Sequence, residues 1–422
     1  MKPPNTTRRT INLLDQDILC IIFSILDLFD LVRCSSVCKS WNVIINTSRL
    51  MHTLYVKQWA NEASSSSLNM GGPLNVFLED LAMQNHRSAL VQGSVFVDQW
   101  KGHTVGIDQC RMKMGLILTG VGDKLMRLWS STTYKCLEEY SLSDLGPLAD
   151  FDFDENKVVG LAGTRLCIWM RHRNRSAFPL REGTFPKGLC MRYMDPDAMV
   201  GCQDGTVRVF DMYSSTCSQI IRMGDSGINC LAVGDDQLVL SGSSHGGIKL
   251  NVLGQSSNQR VSRLKPSDLQ GVKTLCYNPS SHLAFAGSIN GYAECWDLRK
   301  MKKLWGYRVG PNAIYSMQFL RMDMSTLVVG GLDGVLRILD QNTGEILSRC
   351  VIRSSAVKIT STNSLYGSVE RKQVKRLTED SGISNFPLMT RQPIRCIAVG
   401  MGKVVTTHNT DFIRMWRFRE TK

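Results

Sequence analysis

A short turn pattern recurs along most of this 422-residue chain at a nearly constant interval, and few folds can absorb such a repeat. Each copy is a small residue, a turn of Asp or Asn with Gly, a short alternating run and a closing residue that is usually large and apolar. The clearest copies run from Gly120 to Trp129, Gly201 to Phe210, Gly287 to Trp296 and Gly330 to Leu339. Weaker copies run from Leu161 to Trp169, Gly242 to Asn251 and Thr407 to Trp416. The closing residue falls at 129, 169, 210, 251, 296, 339 and 416, in steps of 40, 41, 41, 45, 43 and 77. Alternation between turns means strands with one buried face, and a period of roughly 40 to 45 residues with strand content is that of a β-propeller. In the first unit Val105 to Met112, Gly115 to Gly120, Lys124 to Ser130 and Cys136 to Ser141 supply four antiparallel strands, one blade. Seven closing residues predict seven blades.

Ring closure gives an independent check. The last unit offers Ile394 to Val399, Lys403 to Thr407 and Phe412 to Phe418 before the chain stops at Lys422, one strand short of a blade. Val95 to Trp100 has strand composition and no blade of its own. It is expected to pair into the last blade, which removes both exposed edges. The long final step places an insertion of roughly 35 residues at about 353–392, rich in Ser and Thr and carrying Arg371, Lys372, Lys375 and Arg376.

Residues 13–59 are of another kind. Ile18, Ile22 and Ile25 recur at helical spacing after Asp15, a candidate cap, with Leu19, Phe23 and Leu26 widening the stripe. Leu28 and Leu31 follow, then Val37, Cys38, Trp41, Ile44 and Ile45. Three short helices, apolar on more than one side, bury little alone and need a partner to complete their core. Residues 60–93 read as a turn-rich linker with Ser64 to Ser67, Gly71-Gly72-Pro73 and a short helix over Val76 to Ala82. The domains are thus 13–59, 60–93 and a propeller over 94–422.

The 14 cysteines come with no signal-like apolar core, since Asp15 and Asp17 interrupt it, so reduced thiols in cytoplasm or nucleus are expected. Cys110, Cys230, Cys276 and Cys396, with Cys190 as a candidate fifth, fall on first strands of units, where a small apolar residue packs. Cys34 and Cys38 lack a second ligand pair, so no metal is expected. A net charge of +13 favours acidic partners or a generally basic solvated surface. Arg127, Arg208, Arg337 and Arg414 each stand two residues before a closing residue and read as exposed strand positions. There is no zincin pattern, phosphate-cradling loop or nucleophile elbow, so the chain is not expected to be an enzyme or to need a cofactor.

Leu14, Ile18, Leu19, Ile22, Leu26, Leu28, Asp30, Leu31 and the run Val37-Cys38-Lys39-Ser40-Trp41 resemble the F-box motif in order and spacing. The resemblance implies docking on a Skp-family adaptor, and through it a cullin-RING ubiquitin ligase, by Leu14, Ile18, Ile22, Leu26, Leu28, Leu31, Val37 and Trp41. One departure is that Asp15 stands where the family usually has Pro after Leu14. Gly102-His103, the Asp-Gly turns at 204–205 and 333–334 and Trp296-Asp297 resemble the WD-repeat family. That resemblance implies a structural tetrad in the first blade of His103, Thr119, Asp123 and Trp129, which satisfies buried polar groups. It also places the connection between blades on the partner-binding face. The basic residues Arg371, Lys372, Lys375 and Arg376 are therefore candidates for contact with an acidic or phosphorylated client, against a solvated insertion or a nuclear import signal. The fold expected is a small all-α F-box followed by an all-β seven-bladed propeller closed by an N-terminal strand. The function implied is that of a substrate receptor of a Skp-cullin-F-box ubiquitin ligase, with neither membrane nor nucleic acid among its partners. A second reading is a scaffold of a nuclear or RNA-associated complex.

Overall fold

In the computed structural model the chain divides into two compact units, Met1–Leu78 and Glu79–Lys422. The structure describes residues 14–51 and 74–419 except 27, 49, 122–124, 142–146, 172–174, 178–184, 225, 254–261, 265–270, 359–368, 378–382, 384–385 and 387–390.

Among the described residues the first unit holds the helices α1 (Gln16–Ser24), α2 (Leu28–Ser35) and α3 (Lys39–Thr47). Leu19 and Phe23, four apart on α1, close with Leu31 of α2 and Ile44 and Ile45 of α3 into its buried core. Asp15 occupies the N-cap position with extended backbone, φ −62° and ψ 153°, but its side chain makes no capping hydrogen bond. Its backbone carbonyl accepts from the amides of Ile18 and Leu19 at 3.1 Å instead. A φ near −62° is the value a proline would impose, so the chain enters α1 along the path that the missing proline would set.

The second unit is the seven-bladed ring. Five blades, over 107–141, 148–177, 188–222, 228–264 and 272–308, are separate four-stranded antiparallel sheets. The sixth and seventh belong to one nine-stranded sheet. The closing strand, Ser94–Lys101, pairs with Phe412–Arg419 from Ser94 opposite Arg419 to Lys101 opposite Phe412. The closure expected from the sequence is therefore present.

The inserted segment differs from expectation. The fourth strand of blade 6 extends over Ile346–Lys358, and Glu370–Leu377 returns beside it as a further strand. That strand also pairs with the closing strand, Phe96 opposite Gln373 and Gln99 opposite Glu370. It fills the gap between the outer edges of blades 6 and 7, leaving neither edge open. A basic run forms a strand here because its long side chains lie over apolar and acidic neighbours. Arg371 Nε reaches the buried Asp98 at 2.8 Å and its guanidinium stacks 4.2 Å from the Phe96 ring. Asp98 also accepts from Tyr134 at 2.6 Å and pairs with Arg417 at 3.2 Å, joining the seam to blade 1.

The segment before the ring is another correction. A helix, α4, runs over Leu74–Val91, well beyond the short Val76–Ala82 element expected in a linker. Within the second unit Leu81, Ala89 and Leu90 are buried, the last two against Val97, Ile352, Trp416 and Phe418. Burial of these apolar side chains, not local propensity, extends the helix.

The four arginines expected to be exposed are mostly buried. Arg127, Arg337 and Arg414 are nearly inaccessible and Arg208 is partly so. Arg127 donates to the Gly102 carbonyl at 3.1 Å and to Glu139 at 2.9 Å; Arg414 reaches Gln99 at 2.8 Å and Gln392 at 2.7 Å. Arg337 pairs with Asp333 at 2.6 Å. Each ties a third strand to nearby loops or neighbouring strands, a role that period alone does not reveal.

The repeating turns need glycine. Gly205, Gly246, Gly291 and Gly334 have φ of +81°, +82°, +83° and +68°, in the left-handed region. A Cβ on Gly291 would meet the Gly310 carbonyl and lie 2.9 Å from that of Asn312, whereas one on Gly163, also left-handed, would meet nothing within 4 Å. Gly163→Ala should therefore cost only backbone strain, about 1 kcal/mol, and Gly291→Ala distinctly more, about 3 kcal/mol. Equal losses in chemical denaturation would refute the steric account.

Candidate functional site

On α1 and its C-cap, Ile18, Ile21, Ile22 and Ile25 lie at i, i+3, i+4 and i+7 and are 44, 63, 38 and 79% exposed. Leu14, Val37 and Val43 are exposed as well. The opposite side of the helix already fills the core, so this stripe is surplus apolar surface of the kind that marks an interaction site. Of the residues assigned to adaptor contact, Leu14, Ile18, Ile22 and Val37 face solvent. Leu26 is half-buried, and the side chain of Leu28 lies outside the described residues. Leu31 is fully buried, which corrects its assignment as a contact residue. Trp41 is partly buried and packs edge-to-face on Phe23, ring centroids 5.2 Å apart. Ile21, Ile25 and Val43 belong to the same exposed apolar surface but were not among the residues assigned; the i, i+3, i+4, i+7 spacing from Ile18 was the signal for the first two.

In the second unit the first strand of each blade lines a central channel with a cavity at each mouth, about 780 Å³ and 380 Å³. Arg111, Arg192 and Gln318 border both. The larger is rich in methionine, with Met112, Met114, Met194 and Met401. The smaller carries Arg111, Arg192, Lys273 and Arg395 against Asp108 and Asp150. Asp150 accepts from Arg111 at 2.8 Å, Arg192 at 3.4 Å and the Met191 amide at 2.9 Å, joining blades 1, 2 and 3. Asp152 repeats the pattern two residues on, with Lys113 at 2.7 Å and the Tyr193 amide at 3.1 Å. Burial alone would raise the Asp152 carboxyl, but Lys113 and Arg111 hold it below the usual carboxylate range. Arg395 lies 4.5 Å from the Tyr315 ring, and among the described residues neither it nor Lys273 has a carboxylate partner. Among the described residues four cations face two carboxylates at the smaller mouth, which leaves it net positive. The Asp150-Phe151-Asp152 alternation was a legible signal of inward acidic positions; Arg395 and Lys273 carried none.

The residues assigned to the tetrad come together in part. His103 Nε2 and Thr119 Oγ1 are 2.9 Å apart, and Trp129 Nε1 donates to Thr119 Oγ1 at 2.9 Å; Asp123 lies outside the described residues. A Nη1 group of Arg127 stands 2.9 Å from His103 Nδ1. Blade 7 holds a second such station that the sequence reading missed. Trp416 Nε1 donates to Thr406 Oγ1 at 3.0 Å, and His408 Nε2 lies 2.8 Å from the same hydroxyl. Thr and Trp are ten residues apart in both blades, which was the available signal. The Gln392 and Pro393 carbonyls face His408 Nδ1, so that nitrogen carries the proton and Nε2 accepts. Burial holds the His408 imidazole neutral, its pKa well below the ordinary histidine value. These histidines are structural.

The four basic residues assigned to a client loop are not on a loop. Arg371 is paired with Asp98, and the guanidinium of Arg376 reaches the carbonyls of Ala89, Leu90, Val91 and Gly93 at the end of α4. Lys372 is partly buried, and Lys375 Nζ lies 5.8 Å from the Phe386 ring. Arg371 and Lys372 pair on both sides and Lys375 and Arg376 with the fourth strand of blade 6, so this run is a strand and not a free basic loop.

Helix α4 carries a histidine expected to make the second unit acid-sensitive. His86 is buried, accepts from the Gly402 amide at 3.0 Å through Nδ1, and has its pKa lowered from 6.5 to about 4 by burial. A lowered base binds fewer protons folded than unfolded. Its stabilisation is therefore intact above pH 6.5 and lost as pH falls toward 4, by at most about 3 kcal/mol. Thermal melts from pH 7.5 to 4.5 should show this slope, and His86→Asn, which keeps an acceptor near Nδ1, should flatten it. An unchanged slope in the variant would assign the acid sensitivity elsewhere.

Among the described residues no group of three or more His, Cys, Asp or Glu side chains could hold a metal, and no helix is long and apolar enough to cross a membrane.

A helical unit with a surplus apolar stripe, followed by a WD-type propeller, defines a two-part interaction protein. The F-box-like family profile matches residues 16–57. An F-box/WD-40 repeat-containing protein of Arabidopsis thaliana is 49% identical over 433 aligned positions, covering 97% of this chain and 95% of that one. The chain belongs to the F-box/WD-repeat family. The angio-associated migratory cell protein of Homo sapiens is similar at 26% identity over 55% of this chain and 57% of its own. Among solved structures, the computationally designed protein Ika8 matches with a TM-score of 0.54 at 15% identity, covering 76% of this chain and 98% of that one, a likeness of fold alone.

Proposed function

We propose that this protein is a substrate receptor of a Skp-cullin-F-box type ubiquitin ligase. The observation that carries the reading is the isoleucine stripe of α1, four large apolar side chains in solvent on a unit whose own core is already filled. An apolar face of a Skp-family adaptor would cover it. The client's place is the smaller channel mouth, where Arg395 and Lys273 meet a carboxylate or phosphate of the bound segment. The protein then contributes proximity, holding a client near a charged conjugating enzyme, and needs no catalytic residue of its own. It works in the cytoplasm or nucleus.

Co-expression of the full chain with a Skp-family adaptor tests this, with a stoichiometric complex expected on size exclusion. Proteins captured from cells in a ubiquitin-dependent manner should be lost from Arg395→Glu/Lys273→Glu while adaptor binding persists. A folded chain that forms no adaptor complex would overturn the reading and leave a ligase-independent scaffold.

A further inference from the structure

The hairpin turns that join the first and second strands of the blades stand around the larger channel mouth, at the opposite end of the ring from the smaller one. In ring order they fall into two arcs. Blades 6, 7 and 1 present Met322 with Met324, Met401 and Met114, which are 58, 46, 46 and 53% exposed. Blades 2, 3 and 4 present Asp154 with Glu155, Asp195, and Asp235 with Asp236. Inside the mouth the partly buried Met112, Met194 and Phe319 continue the apolar surface into a cavity of about 780 Å³.

The fold itself gains little from methionine at these turns. Met114 and Met322 have φ of +51° and +72°, left-handed values that suit Gly or Asn better than a long side chain. Met114 and Gly115 form the two-residue turn between Lys113 and Leu116, where Asn-Gly is the favoured pair. A half-exposed thioether adds little to the core. Its flexible, polarisable chain moulds instead to an incoming apolar surface.

The acidic arc says what kind of segment brings that surface. Among the described residues Lys157 pairs with Asp195 at 2.9 Å and Arg321 with Asp235 at 2.6 Å, which leaves the arc negative on a chain of net charge +13. The cations deeper in the channel are engaged, Arg111 and Arg192 with Asp150 and Lys113 with Asp152, and Lys403 lies on the methionine side. Behind the arc, burial and the nearby charges of Asp211 and Asp195 raise the Asp197 carboxyl, so an added cation would relieve repulsion there. A helix places apolar and basic side chains on two faces, as the two arcs stand on two sides of the mouth.

We propose that the larger mouth docks a basic amphipathic helix of a partner protein, its apolar side chains on the methionine arc and its lysines or arginines on the acidic arc. The surface is separate from the mouth given to the client and does not depend on adaptor binding.

The test uses the full-length protein and a fluorescein-labelled helical peptide of about 18 residues, leucine on one face and lysine on the other. A counterpart keeps the leucines and replaces each lysine by glutamate. Fluorescence anisotropy should show the lysine peptide binding at least about tenfold more tightly, the reverse of what the net charge alone would give. Met114→Asn/Met322→Asn, whose new residues suit the left-handed backbone, should weaken it by about tenfold or more, and so should Glu155→Lys/Asp235→Lys. Arg395→Glu/Lys273→Glu should leave it unchanged, which separates this surface from the client's mouth. Equal binding of the two peptides, or lysine-peptide binding that either turn variant leaves intact, would overturn the proposal. So would a dimer in light scattering that the methionine variant dissolves, since the occupant would then be a second copy of this chain.

Discussion

Ile21→Asp/Ile25→Asp is expected to abolish capture of a Skp-family adaptor while leaving the protein folded. Both side chains are more than half exposed, so they contribute little to the core of the helical unit. Each would bury an isoleucine's worth of apolar surface at the interface, about 2 kcal/mol apiece, before the cost of desolvating two carboxylates. The affinity should therefore fall by at least about a hundredfold. Leu31→Asp is the contrasting variant. It places a charge in the filled core and should unfold the helical unit itself, by about 4 kcal/mol or more. Circular dichroism separates the two: adaptor binding lost with native helicity in the first, helicity lost in the second. Undiminished binding by the isoleucine variant would show that the stripe is not the adaptor face.

Arg376→Met should be the most damaging single change on the propeller side. The guanidinium donates to the carbonyls of Leu90 at 2.8 Å, Val91 at 2.9 Å, Gly93 at 3.0 Å and Ala89 at 3.1 Å, and lies 5.6 Å from the Phe418 ring. These are the carbonyls that a helix end leaves without intrahelical partners, and the cation also meets the negative end of the helix dipole. Methionine fills the volume but donates nothing. Several buried acceptors are then stranded, at a cost of about 4 kcal/mol. For a unit of this size that is a fall of roughly 6 °C in thermal midpoint. Arg376→Lys keeps the charge but cannot fan across four acceptors, so an intermediate loss is expected. A shift of less than about 2 °C for Arg376→Met would mean that water replaces the guanidinium at little cost.

The misreadings share a cause. Arg371 and Arg376 looked like a free basic loop because a run of cations has no local reason to form a strand. The reason is non-local: two open edges, at Ile346–Lys358 and Ser94–Lys101, stand one strand apart. Arg127, Arg337 and Arg414 looked exposed because arginine usually is, but loops, a hairpin turn and the closing strand bring a carbonyl, a carboxylate and amides to them. Leu31 matched a motif position and is core, while Ile21 and Ile25 matched helical spacing and are surface.

What the sequence determined by itself was the number of blades, their turns and the ring closure. Each follows from a local rule repeated at a fixed interval: alternation for strands, left-handed glycine at turns, and one strand missing at the end of the chain where one is spare at its start. The isoleucine face of α1 was legible for the same reason, being a matter of helical period. The charged channel mouth and the Arg376 lock on α4 were decided only by the tertiary structure. Their partners lie tens to hundreds of residues apart, brought together by ring geometry, and no pattern within one repeat can encode which residue of another blade it will meet.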